Sequence, residues 1–134
     1  IRKHNVSDSV SEFSSNIIIR NKLSDLQRKL AKDKNVVIEG RDIGTNVFPD
    51  ADFKFYLSAE ISIRAERRYS QIIKKGDISI SKKQVLNNLI KRDELDMNRE
   101  HSPLLKDAAA IEIDTTNLNI NEQVNVIIKT ISKE

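Results

Sequence analysis

VVIEGRDIGTNVFPD, residues 36–50, joins an apolar β-branched run to a glycine-flanked pair of opposite charges. Val36, Val37 and Ile38 do not alternate with polar residues, the pattern of a strand covered on both faces in a parallel sheet. The run stops at Gly40-Arg41-Asp42, and open α/β folds bind ligands outside the exits of their strands. Gly40 and Gly44 are two of only three glycines in the chain, so backbone freedom is concentrated around Arg41 and Asp42. Asp42 reads either as a carboxylate capping its own loop or as an acceptor for a ligand amine, with Arg41 beside it for an anion.

Working outward, Ser7 to Ser15 reads as a short helix with Val6, Val10 and Phe13 on its apolar side. A longer helix follows in which Ile19, Leu23, Leu26 and Leu30 recur at helical spacing, and Lys32 to Asn35 turns the chain into the strand at Val36. Phe53 to Leu57 and Ala110 to Ile113 are two further short apolar strands. Ser58 is the expected N-cap of a helix from Ala59 to Lys75, with Gly76 as its stop and Ile61, Ala65, Tyr69, Ile72 and Ile73 as its stripe. Ser81 and Gln84 form an S-x-x-Q capping box opening another helix, and a last one follows Asn119 with Val124, Ile127, Ile128 and Ile131 on one face. Strands alternating with helices predict an α/β fold in which helices cover a parallel sheet.

A chain of 134 residues is long enough to bury about two thirds of its unfolded surface. It contains no cysteine, which excludes a disulfide framework and a thiolate metal site. No apolar stretch approaches a membrane span or a signal-peptide core. A soluble cytoplasmic protein with no membrane partner is expected. Its 23 Lys and Arg against 20 Asp and Glu give a formal charge of +3, too little to demand a nucleic-acid partner.

The positive charge is local. In the helix opening at Ser81, Val85, Leu89, Arg92, Asp96 and Arg99 fall on one narrow arc at about 100° per residue. The face is apolar near the start and becomes Arg, Asp, Arg toward the end, which suits a ligand cleft opening under the helix. The alternative is an exposed i,i+4 ion pair of Arg92 with Asp96. Arg64, Arg67 and Arg68 share another helical face, either solvated beside Glu60 and Glu66 or used to grip phosphate. His4 and His101 have no companion at metal-ligand spacing and read as surface residues. No Ser/His/Asp arrangement or H-E-x-x-H motif points to a hydrolase or a zinc enzyme.

Four stretches taken together resemble the bacterial cytidylate kinase family: GRDIGTNVFPDA (Gly40 to Ala51), Arg64-Ala65-Glu66-Arg67-Arg68-Tyr69, the Arg92, Asp96 and Arg99 set followed by Ser102-Pro103-Leu104, and Ile113-Asp114-Thr115-Thr116. Their order and spacing agree from Ile1 to the C-terminal helix. The resemblance implies a three-layer P-loop NTPase fold of the nucleoside monophosphate kinase kind, and transfer of the ATP γ-phosphoryl to CMP or dCMP with Mg²⁺. It implies one kinase domain: 1–34 ending the monophosphate-binding segment and its following helix, 35–62 core strands, 63–100 lid and flanking helices, 101–134 last strand and C-terminal helix. A monomer is expected.

Carried over by position, Ser11, Arg20 and Asp42 match residues that read the cytosine edge. Arg41, Arg92 and Arg99 match positions around the substrate phosphate and sugar, Asp96 one that orients the sugar hydroxyls and neighbouring arginines, and Arg64 and Arg68 the start of the lid. Phosphoryl transfer needs positioning and charge compensation more than a covalent or acid–base residue, so an Arg-rich, His-free cleft is consistent with it. The chain departs from the family in lacking G-x-x-x-x-G-K-S/T, the loop that holds the ATP phosphates and Mg²⁺. The first strand, that loop and its helix are expected to precede Ile1, and an N-terminally shortened chain is expected to be inactive as a kinase. Asn46 stands where the family more often has an apolar residue. The rival readings are a kinase for another monophosphate and a noncatalytic fragment binding RNA or protein; against the latter, the aromatic residues do not interleave with the basic ones.

Overall fold

The computed structural model describes residues 16–76 and 78–132. The helix expected at Ser7 to Ser15, and with it Ser11, lies outside the described residues. The elements run α1 (Ile17–Ala31), a π-turn (Ile43–Val47), β1 (Phe55–Ser58), α2 (Ile61–Lys74), α3 (Lys82–Asn98), β2 (Ile111–Asp114) and α4 (Ile120–Ile131). They fall into two compact units, one of Ile1–Ala51 with Arg92–Lys106 and one of Asp52–Lys91 with Asp107–Glu134.

In the first unit, Asn16 caps α1 by accepting from the amides of Ile18 and Ile19 at 3.0 and 3.2 Å. Of the stripe expected of this helix, Ile19 is half-buried while Leu23, Leu26 and Leu30 are exposed, and the buried residue is Ser24. Asp33 takes a positive φ of 58° in the turn after α1, a conformation Asp tolerates better than most residues.

The strand expected at Val36 to Ile38 is absent, and Val36 and Val37 are exposed. A parallel strand depends on a ladder partner, and among the described residues none pairs with this run. Gly40 and Gly44 also differ from expectation, because neither has a positive φ. Gly40 is required for closeness instead: a Cβ there would lie 2.6 Å from Ile43 Cγ1. Asp42 then precedes the π-turn, its carbonyl accepting from the amides of Asn46 at 2.9 Å and Val47 at 3.2 Å, and Phe48 N–H reaches Ile43 O at 2.7 Å.

In the second unit, the two later strands pair as expected, in parallel, with Phe55 opposite Ile111 and Ser58 opposite Asp114. The ladder continues through Ile111 N–H to Lys54 O at 2.9 Å and Thr115 N–H to Ser58 O at 2.7 Å. Ser58 is therefore the last ladder residue and not a helix cap. Glu60 holds the N-cap place of α2 without a side-chain bond to the helix's first amides; its own amide donates to Thr116 Oγ1 at 3.0 Å. The stripe of α2 holds, with Ala65 buried and Ile61, Tyr69, Ile72 and Ile73 half-buried. Gly76 ends the helix at φ 83°, the left-handed conformation of a helix stop.

The capping box of α3 is formed: Ser81 N–H donates to Gln84 Oε1 at 2.8 Å and Gln84 N–H to Ser81 Oγ at 3.3 Å. Asn119 and Glu122 make a second box at the start of α4, at 3.0 and 2.7 Å. Ile127 is half-buried on α4, whereas Val124, Ile128 and Ile131 are exposed. No helix among the described residues is long and apolar enough to cross a membrane.

Candidate active site: an arginine–aspartate cluster in the first unit

Three segments of the first unit bring their charges together: α1 supplies Arg20, the residues before the π-turn supply Arg41 and Asp42, and the end of α3 supplies Arg92, Asp93, Asp96 and Arg99. Asp42 and Asp96 are both buried. An isolated buried carboxylate is costly, so each draws in cations.

Asp42 Oδ2 is paired directly with Arg20 Nη2 and also accepts from Asn46 Nδ2 at 3.3 Å. Its Oδ1 lies 3.7 Å from Arg99 Nη2, too long for a hydrogen bond. Oδ1 makes no hydrogen bond among the described residues, so it retains its capacity to accept one. Asp96 gathers three guanidiniums: Arg41 Nε at 3.3 Å from Oδ2, Arg92 Nε at 3.7 Å from Oδ2, and Arg99 Nη1 at 3.7 Å from Oδ1. Arg41 Nη1 also lies 4.0 Å from Asp93 Oδ1.

The cluster is only loosely satisfied. Arg92 Nε, Asp96 Oδ2 and Arg99 Nη2 are buried without a hydrogen bond although each has an opposite charge nearby. Burial, and then the neighbouring Arg20 guanidinium, pull Arg99 below the ordinary arginine value, while Asp42 and Asp96 act in the opposite direction. Arg99 is anchored by its Nε–H, which donates to Ser102 O. Ser102 itself has φ 51°, and Leu104 N–H returns to Asp96 O at 2.7 Å. The turn after α3 thus closes over the charged end of the helix.

Four guanidiniums against three carboxylates leave an excess of positive charge. Arg41 and Arg92 keep 36% and 42% of their side-chain surface exposed while contacting Asp96, so an anion arriving from solvent meets guanidinium. This arrangement can bind a phosphorylated ligand and offer one carboxylate oxygen to a donor on it.

The family model for cytidylate kinase matches residues 1–133. The chain belongs to the cytidylate kinase family. It is 45% identical over 133 residues to a cytidylate kinase of Fusobacterium nucleatum, covering 99% of this chain and 61% of the relative. With a cytidylate kinase of Clostridium tetani it shares 50% over 131 residues, 98% of this chain and 58% of the relative. With that of Thermosipho melanesiensis it shares 40% over 134 residues, the whole of this chain and 61% of the relative. The chain spans about three-fifths of the length of these curated relatives, and cytidylate kinase family membership agrees with the parallel α/β pairing of β1 and β2.

Six of the residues expected at the site, Arg20, Arg41, Asp42, Arg92, Asp96 and Arg99, are assembled in the first unit. Arg64 and Arg68 lie on α2 in the second. Arg64 Nε donates to Ala59 O at 3.1 Å, and Arg68 is exposed. The Arg67 side chain is occupied by backbone carbonyls: its Nη2 donates to Thr115 O at 2.6 Å and Leu118 O at 3.1 Å, tying α2 to the loop after β2. Sequence reasoning did not select Asp93. Asn46, polar where the family more often has an apolar residue, carries in that departure the signal for its bond to Asp42.

Proposed function

We infer that the full-length protein is a (d)CMP kinase and that this chain supplies the acceptor half of its site. The observation that carries the reading is Asp42: a buried carboxylate with Oδ2 fixed by Arg20 and Asn46 and Oδ1 left to accept. Cytosine has an exocyclic amine to donate to Oδ1, whereas uracil places a carbonyl there and leaves a buried charge mispaired. Arg20 and Ser11 are assigned to the rest of the base edge. Arg41, Arg92 and Arg99 are assigned to the phosphate and sugar, with Asp96 orienting the sugar hydroxyls and the three arginines that gather on it.

In the reaction, an oxygen of the CMP phosphate attacks the γ-phosphorus of ATP, a new P–O bond forms, and the bond to the β-phosphate oxygen breaks to release ADP. The arginines of this chain hold the acceptor oxygen in line and compensate its charge, with Arg64 and Arg68 assigned to the lid over the transferring group. Mg²⁺ accompanies the ATP and would neutralise its phosphates. Among the described residues no group of three His, Cys, Asp or Glu side chains is placed to hold a metal, and Mg²⁺ arriving with ATP is held largely by the nucleotide's own phosphates and water.

The test is steady-state kinetics of the full-length protein with CMP, dCMP and UMP as acceptors. Asp42→Asn should lower kcat/KM for CMP by roughly ten- to a hundredfold, the range of a charged hydrogen bond, with little effect on UMP. Equal losses for both acceptors, or none, would overturn the reading.

A further inference from the structure

Arg28 lies outside the arginine–aspartate cluster, yet it touches the turn that carries Asp42. From α1 it donates Nε–H to Val47 O at 2.9 Å and Nη2–H to Asn46 O at 2.9 Å, while Nη1 reaches Asp25 Oδ1 at 3.2 Å. The last carbonyls of a helical turn have no partner within it, and a cation placed there also meets the negative end of the backbone dipoles. The other end of the same π-turn is Asp42, whose carbonyl accepts from the amides of Asn46 and Val47. Asn46 is therefore held by Arg28 through its carbonyl, and holds Asp42 through both its amide and its side chain.

We propose that Arg28 is a positioning residue: by fastening the two closing carbonyls of the π-turn to α1, it fixes the direction in which Asp42 presents Oδ1 and sharpens the choice of cytidine monophosphate. This rests on the reading of Asp42 as acceptor for the base amine. Two carbonyls from consecutive residues are met by a planar fork, which lysine lacks, so charge alone does not replace it. The Arg28 side chain is 46% exposed, so its removal leaves no cavity in a core.

The experiment uses the full-length protein with Arg28→Lys and Arg28→Met, read by kinetics with CMP and UMP and by hydrogen exchange of the Asn46, Val47 and Phe48 amides. Both variants should raise KM for CMP roughly tenfold, less than the roughly hundredfold cost of a fully misplaced group. KM for ATP and kcat should change less, the preference over UMP should fall, and exchange at Asn46 and Val47 should quicken. A lower kcat with CMP preference intact would show a merely structural role and overturn the proposal. So would Arg28→Lys behaving as wild type, which would make charge sufficient; that variant also carries the test where Arg28→Met fails to fold. Asp42→Asn run alongside separates the two readings. If it abolishes the preference while the Arg28 variants keep it, positioning alone fails; if it too is silent, the assignment of Asp42 fails and the proposal with it.

Discussion

Asp96 receives Arg41, Arg92 and Arg99 on a side chain only 7% exposed, and each of those cations repels the other two. Asp96→Ala should therefore destabilise the protein by about 3 kcal/mol, the cost of stranding a buried partner, here Arg99, with Asp96→Asn milder; urea denaturation measures both. At Asp107, the Ala109 amide and then Lys54 hold the carboxyl below its ordinary value, and at Asp114 the Thr116 hydroxyl and amide do the same. Both groups favour the folded state above about pH 4, where the unfolded carboxyl is ionised, and that contribution disappears as pH falls through their lowered folded values. Asp107→Asn should therefore lower stability at neutral pH and leave it nearly unchanged in strong acid, flattening the acid limb of a stability–pH profile. The Arg92, Asp96 and Arg99 arc was legible because helical spacing alone places these side chains together. Arg28 was not, since its partners are backbone carbonyls, which a sequence does not display.

At the scale of elements, the close approach at Gly40 makes a sharp prediction. Gly40→Ala places a methyl 2.6 Å from Ile43 Cγ1, and should cost about 1–3 kcal/mol as an overpacked contact, with Ile43→Ala restoring part of the loss in a double-mutant cycle. Asn119→Ala removes the acceptor for the Glu122 amide and should cost about 1 kcal/mol, while Asn119→Gly costs only a few tenths; thermal melts distinguish them. The capping box at Ser81, the helix start after Asn119 and the two pairing strands were readable, because local chemistry fixes a cap and a short β-branched or aromatic run fixes a strand once its partner is present. Val36 to Ile38 had the composition of a strand and no described partner. Composition proposes strands, but pairing makes them, and pairing is not written locally.

At the scale of the whole molecule, one helix serves both units, with Lys82–Lys91 in the second and Arg92–Asn98 in the first. Val85 is buried among the former and Asp96 among the latter, which is why a single helical face changes from apolar to charged along its length. Many large apolar side chains stay exposed, including Leu57, Ile111 and Ile128 in the second unit and Leu26 and Leu30 in the first. Exposed apolar surface binds apolar dyes, so the 134-residue polypeptide should enhance anilinonaphthalene sulfonate fluorescence at neutral pH without denaturant, and Leu57→Ser with Ile111→Ser should reduce it. The parallel ladder has one more consequence, and it concerns time. Phe55 pairs with Ile111, 56 positions later, so during synthesis β1 leaves the ribosome well before the strand that will satisfy its amides exists. Local helices form within microseconds, whereas this pairing must first close a long loop. For that interval the nascent chain carries an open strand edge, the state in which it is most susceptible to association with its neighbours.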